Sequence, residues 1–467
     1  MRRMGIRFGL GLLAGALALS AQACGGGGSD DPTVIGDAGP VGGSTGGAGG
    51  EPEGGSTGGA GGEPVGGGGG AGGLAPDVGV PDMGTSIPCP EATGYGYIAA
   101  PVALTSGAKA NHSPRAVWTG SEWAVTWFSV SEVHPGLGNV KFQRFNTMGQ
   151  PVGDLQDLGL AEVARFDVVY NGGGFLIAWL GAKDAAGNGF KGLRIQALAA
   201  DGSPVDVPTD LAGTFDAERL SLGFAPLTGG MLVYTRGRNG ADGVYAQPLG
   251  EGGERAGEPV RLTAAGVAGN YPAVAYGDGT WGVAWSDATA PTPSAIVFKL
   301  LNERAQVARE GSLPNAIGAK GAVFLAYGGS DTFGLAWNQE GEGGIIRPKL
   351  TLLSASDASV QVSPDVTGPE GFAVVTDLAW HDPNFFGVAW QDTVGGLSRI
   401  GLTRIDPLGV SQPALPLDLP AGQSVSGLSP GGTVSNLGAF FTADPDPVAG
   451  GFSDGAQVHL SRLGACR

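Results

Sequence analysis

An all-β fold of seven repeated units follows from three observations: an apolar run ending in an aromatic that keeps returning, a nearly fixed spacing between its copies, and no helical periodicity beyond residue 88. The run ends at Trp127 in WAVTW, Trp179 in FLIAW, Tyr234 in GMLVY, Trp285 in WGVAW, Trp337 in FGLAW, Trp390 in FGVAW and Phe441 in LGAFF, at intervals of 51 to 55 residues.

Each unit repeats one internal order. A first strand ends in an aromatic, as at Trp118, Tyr170, Tyr276, Tyr327 and Trp380, and a short turn such as Asn171-Gly172 or Gly277-Asp278-Gly279 follows. Glycine and asparagine supply the positive φ that a tight hairpin needs. The second strand carries the anchor aromatic. A third alternates, as in KFQRF, LRIQAL, VYAQPL, VFKLL, IGLTRI and VHLSRL, and a fourth begins near Pro-Val in PVGDL, PVDV and EPVRL. Four antiparallel strands per unit of about fifty residues are the pattern of propeller blades. The expected fold is therefore a seven-bladed β-propeller over residues 88–467.

The ends of the chain predict how the ring closes. The last unit runs out after its third strand, while Ala100-Pro101-Val102-Ala103-Leu104-Thr105 repeats the fourth-strand text Glu258-Pro259-Val260-Arg261-Leu262-Thr263. The N-terminal segment should complete blade 7 and leave no open sheet edge. All nine tryptophans fall in first or second strands, which marks them as packing residues between blades.

This text resembles the seven-bladed propellers, and more narrowly the uncharacterised secreted bacterial propellers whose repeats run aromatic, Asn-Gly-like turn, aromatic, Val-Ala-Trp. The resemblance covers residues 95–467 and implies a fold, with no agreed activity. The Gly-His and Trp-Asp pairs of WD repeats are missing, as are the calcium loops of integrin-type repeats. Gly277–Trp281 is a single imperfect copy of the sialidase box.

Residues 1–23 read as a signal peptide, with Arg2, Arg3 and Arg7 before an uncharged Gly/Ala/Leu stretch too short to span a bilayer. Ala21-Gln22-Ala23-Cys24-Gly25 resembles a bacterial lipobox with Ala21 where leucine is usual, and the same residues also fit ordinary signal-peptidase cleavage. With lipid on Cys24, the remaining Cys89 and Cys466 form an even pair flanking the ring junction, and a disulfide is expected there. By the same resemblance, glycine after the acylated cysteine points to the outer membrane. Residues 24–87 hold the anchor cysteine and a glycine-rich linker in which GGSTGGAGGEP, at 42–52, recurs at 54–64. Such a segment cannot bury enough apolar surface to order itself, and its expected reach is on the order of 45 Å.

With 43 acids against 26 bases and a net charge of −17, the chain is unsuited to nucleic acid. Two stretches match a nucleophile elbow, Gly427–Gly431 and Gly451–Gly455, but the elbow needs a strand-to-helix turn and an N–H after the serine, which Pro430 lacks. His112, His134, His381 and His459 have no metal-site spacing, no phosphate loop occurs past the signal peptide, and Asp444-Pro445-Asp446 lacks the rest of a calcium loop. No catalytic residue, metal or cofactor is assigned.

Ligands bind a propeller where the loops between second and third strands emerge, and those loops are long and polar here. Arg236, Asp287, Gln339 and Asp392 stand two residues past Tyr234, Trp285, Trp337 and Trp390 and are the candidate binding residues. The expected role is a monomeric, non-catalytic binding or scaffolding module for an envelope protein or glycan. A glycoside hydrolase or lyase pairing Asp287 with Asp392, and a purely structural envelope component, are the alternatives.

Overall fold

In a computed structural model of the chain, all seven anchor aromatics lie in second strands, as their period requires. The structure describes residues 95–98, 101–107, 110–130, 138–160, 163–181, 192–211, 213–237, 240–287, 295–313, 319–366, 368, 372–381, 385–394, 397–417, 424–430, 437–443 and 456–465. The signal peptide, the linker, Cys24, Cys89, Cys466 and most second-to-third-strand loops lie outside these residues.

Seven blades of antiparallel strands form the ring. Their first strands are Asn111–Trp118, Val163–Tyr170, Ala217–Ala225, Gly269–Gly277, Ala319–Tyr327, Phe372–His381 and Ser424–Pro430. Ser429 thus sits in a paired strand, opposite Gly438, and not on a strand-to-helix turn. Fourth strands vary in length: Pro151–Asp157 in blade 1 and Val307–Ser312 in blade 4 are full strands, whereas Val260–Arg261 in blade 3 and Thr209–Asp210 in blade 2 are two residues each. In blade 2 the Pro-Val text contributes only an isolated bridge from Pro204 to Leu198, five residues ahead of the strand.

Closure occurs as the sequence predicts. Val102–Ala103 pairs with Leu460 and His459 of the last strand, Gln457–Ala465, and Tyr95–Tyr97 pairs with its far end. The imported segment reproduces the bonds of an internal fourth strand. Leu104 N–H donates to Val458 O at 2.8 Å, as Leu262 donates to Val244 O at 2.8 Å. Thr105 Oγ1 accepts from Val458 N at 2.9 Å, as Thr263 Oγ1 accepts from Val244 N at 3.3 Å.

The core is divided. Among the described residues seven hydrophobic clusters form, each between two neighbouring blades. Aromatic rings interlock across these seams, with Phe142 and Phe175 centroids 4.9 Å apart between blades 1 and 2 and Trp123 and Phe440 5.8 Å apart between blades 1 and 7. Gly202, at φ +86°, lies so close to Phe142 that a Cβ would fall 2.1 Å from its ring, so only glycine satisfies both backbone and packing there.

Every first strand also slips register near its start, between His112 and Arg115, Val163 and Arg165, Ala217 and Arg219, Asn270 and Ala273, Lys320 and Phe324, Val375 and Asp377, and Val425 and Gly427. A bulge bends its strand, sharpens the twist and re-aims side chains. Two of these bulges hold non-glycine residues at positive φ, Ser113 at 52° and Tyr271 at 50°. The Tyr271 ring is covered by the guanidinium of Arg219 from the preceding blade, 3.8 Å from the ring centroid.

Candidate functional site

The bulges determine what faces the axis. First strands of six blades line a central cavity of about 210 Å³, and the residues following the bulges bring Arg115, Asp167 and Asp377 to its wall beside Ser221. All four occupy one repeat position, three residues before the strand's terminal aromatic or its equivalent. Asp167 ties two blades together: its Oδ1 accepts from Val168 N at 3.0 Å and its Oδ2 from Leu222 N of blade 3 at 2.9 Å. Burial pushes its pKa up, against the opposing pull of the Arg115 charge and the two N–H donors. Asp377 repeats half of this, its Oδ1 accepting from Leu378 N at 2.8 Å. The sequence signal was a charge inside an apolar run, in RAVW, DVVY and DLAW.

The four candidates lie elsewhere. Arg236, Asp287, Gln339 and Asp392 occupy equivalent places near the ends of the second strands of blades 3 to 6, and none lines the central cavity. Arg236 Nε donates to Asp216 Oδ1 at 2.9 Å, and its guanidinium stands 5.2 Å from the Tyr245 ring. The bond to Asp216 raises the arginine's pKa further and fixes its direction. Asp287 pairs across strands with Gly269 and Ala295. Asp392 has no exposed side-chain surface, and Arg399 grips it with two bonds, Nε to Oδ1 at 2.9 Å and Nη2 to Oδ2 at 2.6 Å. That is the planar fork in which Arg–carboxylate pairs are strongest.

Gln339 borders a different concavity, a cleft of about 410 Å³ within blade 5 that is also lined by Arg347, Pro348, Lys349, Asp365 and Val366. Sequence reasoning missed Arg347 and Lys349, because the turn length that sets them opposite Gln339 and Trp337 is visible only in the register.

At the same end of blade 1, Asn111 Oδ1 accepts from Trp127 Nε1 at 3.0 Å, and His112 packs buried against the Phe128 ring. Burial pushes the His112 pKa down from 6.5 to about 4. The folded state therefore disfavours the imidazolium, so stability is complete above about pH 6.5 and declines as pH falls toward 4. The decline attributable to this group should approach about 3 kcal/mol, at 1.36 kcal/mol per pH unit. Urea melts between pH 7 and 4 should show it, and His112→Phe should flatten the profile; an unchanged slope would refute the assignment.

Among the described residues no group of three or more His, Cys, Asp or Glu side chains is placed to hold a metal ion, and no helix is long and apolar enough to cross a membrane.

No protein-family model matches the sequence, and no curated protein matches it. Solved structures do. The BP39L lectin from Burkholderia pseudomallei aligns with a TM-score of 0.52 at 12% identity, over 76% of this chain and 96% of the lectin. A protein of unknown function from Dyadobacter fermentans DSM 18053 aligns at 0.50 and 9% identity, over 80% of this chain and 100% of its own. The polysaccharide lyase Uly1 aligns at 0.48 and 13%, over 76% and 90%. At such identities the likeness establishes the fold, and the chain is a seven-bladed β-propeller.

Proposed function

We propose that this propeller is a non-catalytic binding or scaffolding module of the bacterial cell envelope. It is tethered to the outer membrane through lipid on Cys24 and the glycine-rich linker, and takes a protein or glycan on the face where the second strands end. A disulfide from Cys89 to Cys466 would staple the ring, and the module would act as a monomer without a cofactor.

The observation that carries this reading is the pre-orientation of polar groups at the ends of the second and third strands, Arg236 held by Asp216 and the half-exposed Arg399 held by the buried Asp392. Side chains fixed before a ligand arrives lose little entropy on binding. The same geometry weighs against the hydrolase or lyase reading: a carboxylate without exposed surface, with both oxygens on one guanidinium, is a poor proton donor or nucleophile.

Glycan-array and envelope-extract capture with the full chain tests the proposal. Arg236→Ala combined with Gln339→Ala, two of the candidates that keep exposed surface, should reduce specific capture at least tenfold while melting confirms a folded ring. Full capture by the folded double variant would move the site elsewhere. No capture by the parent chain would favour a structural envelope component.

A further inference from the structure

Blades 1 and 2 keep a charge pattern that blade 3 breaks. Opposite the anchor aromatic the third strand carries a cation, and the fourth strand answers it with an acid: Lys141 faces Asp157 in blade 1 and Arg194 faces Asp210 in blade 2, and each pair neutralises itself. In blade 3 the same two positions hold Tyr245 and Arg261. A base stands where the acid would be, in a chain whose net charge is −17.

Arg261 meets Arg236 there. The register puts Arg236 directly opposite Gly243 and Arg261 opposite Tyr245, two residues along the same strand, so both arginines leave one face of the blade. Arg261 leans across the glycine: a Cβ on Gly243, at φ +100°, would lie 3.2 Å from both Nε and Nη2 of Arg261. The two guanidiniums stand beside one ring, 5.2 and 6.0 Å from the Tyr245 centroid. Each is held through its Nε, Arg236 by Asp216 Oδ1 at 2.9 Å and Arg261 by Thr263 Oγ1 at 3.4 Å. Among the described residues the Nη groups of both have no hydrogen-bond partner, and Arg261 has no ion pair. Both side chains reach solvent. With Asp216 counted, the group keeps one uncompensated positive charge.

We propose that Arg236 and Arg261 together bind a phosphate monoester on the face where the second strands end. The assignment rests on the binding role proposed above and names the group that this face reads. Guanidinium forks match phosphate oxygens bidentately. A phosphate monoester has three free oxygens and a charge of about −1.5 to −2, enough to engage both forks. A carboxylate, with two oxygens and one charge, fills a single fork and leaves the second guanidinium bare. Asp216 and Thr263 fix the arginines before the ligand arrives, which limits the entropy lost on binding. Free phosphate and a phosphorylated sugar share this chemistry.

Titration calorimetry of the full chain with inorganic phosphate, glucose 6-phosphate, glucuronate and glucose tests the assignment. Phosphate, free or on the sugar, should bind saturably, weaken as salt is raised, and weaken tenfold or more in Arg261→Gln, which breaks no ion pair among the described residues. Whichever of the two phosphates binds more tightly identifies the source. Arg194→Gln, which removes the self-neutralising pair of blade 2, should bind like the parent, and melting should show both variants folded. Equal affinity for glucuronate or glucose, binding of neither phosphate, or indifference to Arg261→Gln overturns the assignment. If the capture experiment succeeds in that event, the binding role survives without it; if both fail, the binding role falls as well.

Discussion

Deleting residues 95–105 should destabilise the ring by about 4 kcal/mol or more and shift the chain toward self-association. These residues supply the outer edge of blade 7 through the ladders of Tyr95–Tyr97 and Val102–Ala103 and the bonds from Ile98 to Arg462 O, from Leu104 to Val458 O and from Val458 to Thr105 Oγ1. Backbone bonds at roughly 1 kcal/mol each already reach that figure, and Leu104 leaves the seam between blades 7 and 1 as well. The bared strand Gln457–Ala465 becomes a template for another chain. Calorimetric melting and size-exclusion chromatography would reveal the change, and a peptide of residues 95–105 added in trans should reverse it. A deletion variant that melts with the parent, as a monomer, would show that the ring does not depend on this clasp.

Replacing an anchor tryptophan by alanine should cost about 3–5 kcal/mol, the range for emptying a large aromatic site in a core. Trp285, Trp337 and Trp390 are all buried, but they differ at the indole nitrogen. Trp390 Nε1 donates to Thr403 Oγ1 at 2.9 Å and Trp337 Nε1 to Thr351 Oγ1 at 3.3 Å, whereas Trp285 Nε1 is buried without a hydrogen-bond acceptor. Phenylalanine removes the N–H and most of a ring's worth less volume. It should therefore cost about 1–2 kcal/mol more at Trp390, where a threonine hydroxyl loses its donor, than at Trp285, where an unsatisfied group disappears. Chemical denaturation of the two variants reads the difference directly; equal losses, or a greater loss at Trp285, would refute the argument.

The anchors, the hairpins and the closing strand were legible because each leaves a repeated mark, an aromatic at a fixed interval or the copied text of Ala100–Thr105 and Glu258–Thr263. The cavity wall was not. Arg115, Asp167 and Asp377 reach it because of a bulge, and an extra residue in a strand leaves no signature in a period-two pattern. Position relative to the anchors put Arg236, Asp287, Gln339 and Asp392 near the ends of their second strands, away from the central cavity, and who pairs with whom depended on turn length. Seven residues separate Asp392 from its partner Arg399 and eight separate Gln339 from Arg347, and only the register shows which side chains stand opposite each other.

The clasp also sets the order of events during folding. Thr105 meets Gln457 across a sequence separation of 352 residues, so the first strand to be synthesised waits for the last. Blades 1 to 6 can each form from contiguous chain, but the circle remains incomplete until residues 457–465 exist. Forming the final contact requires closing a loop of nearly the whole domain, which is slow relative to local hairpins. Until then the chain is a curved row of blades with bare edges at both ends, the stage at which it is most open to mispairing with a second copy.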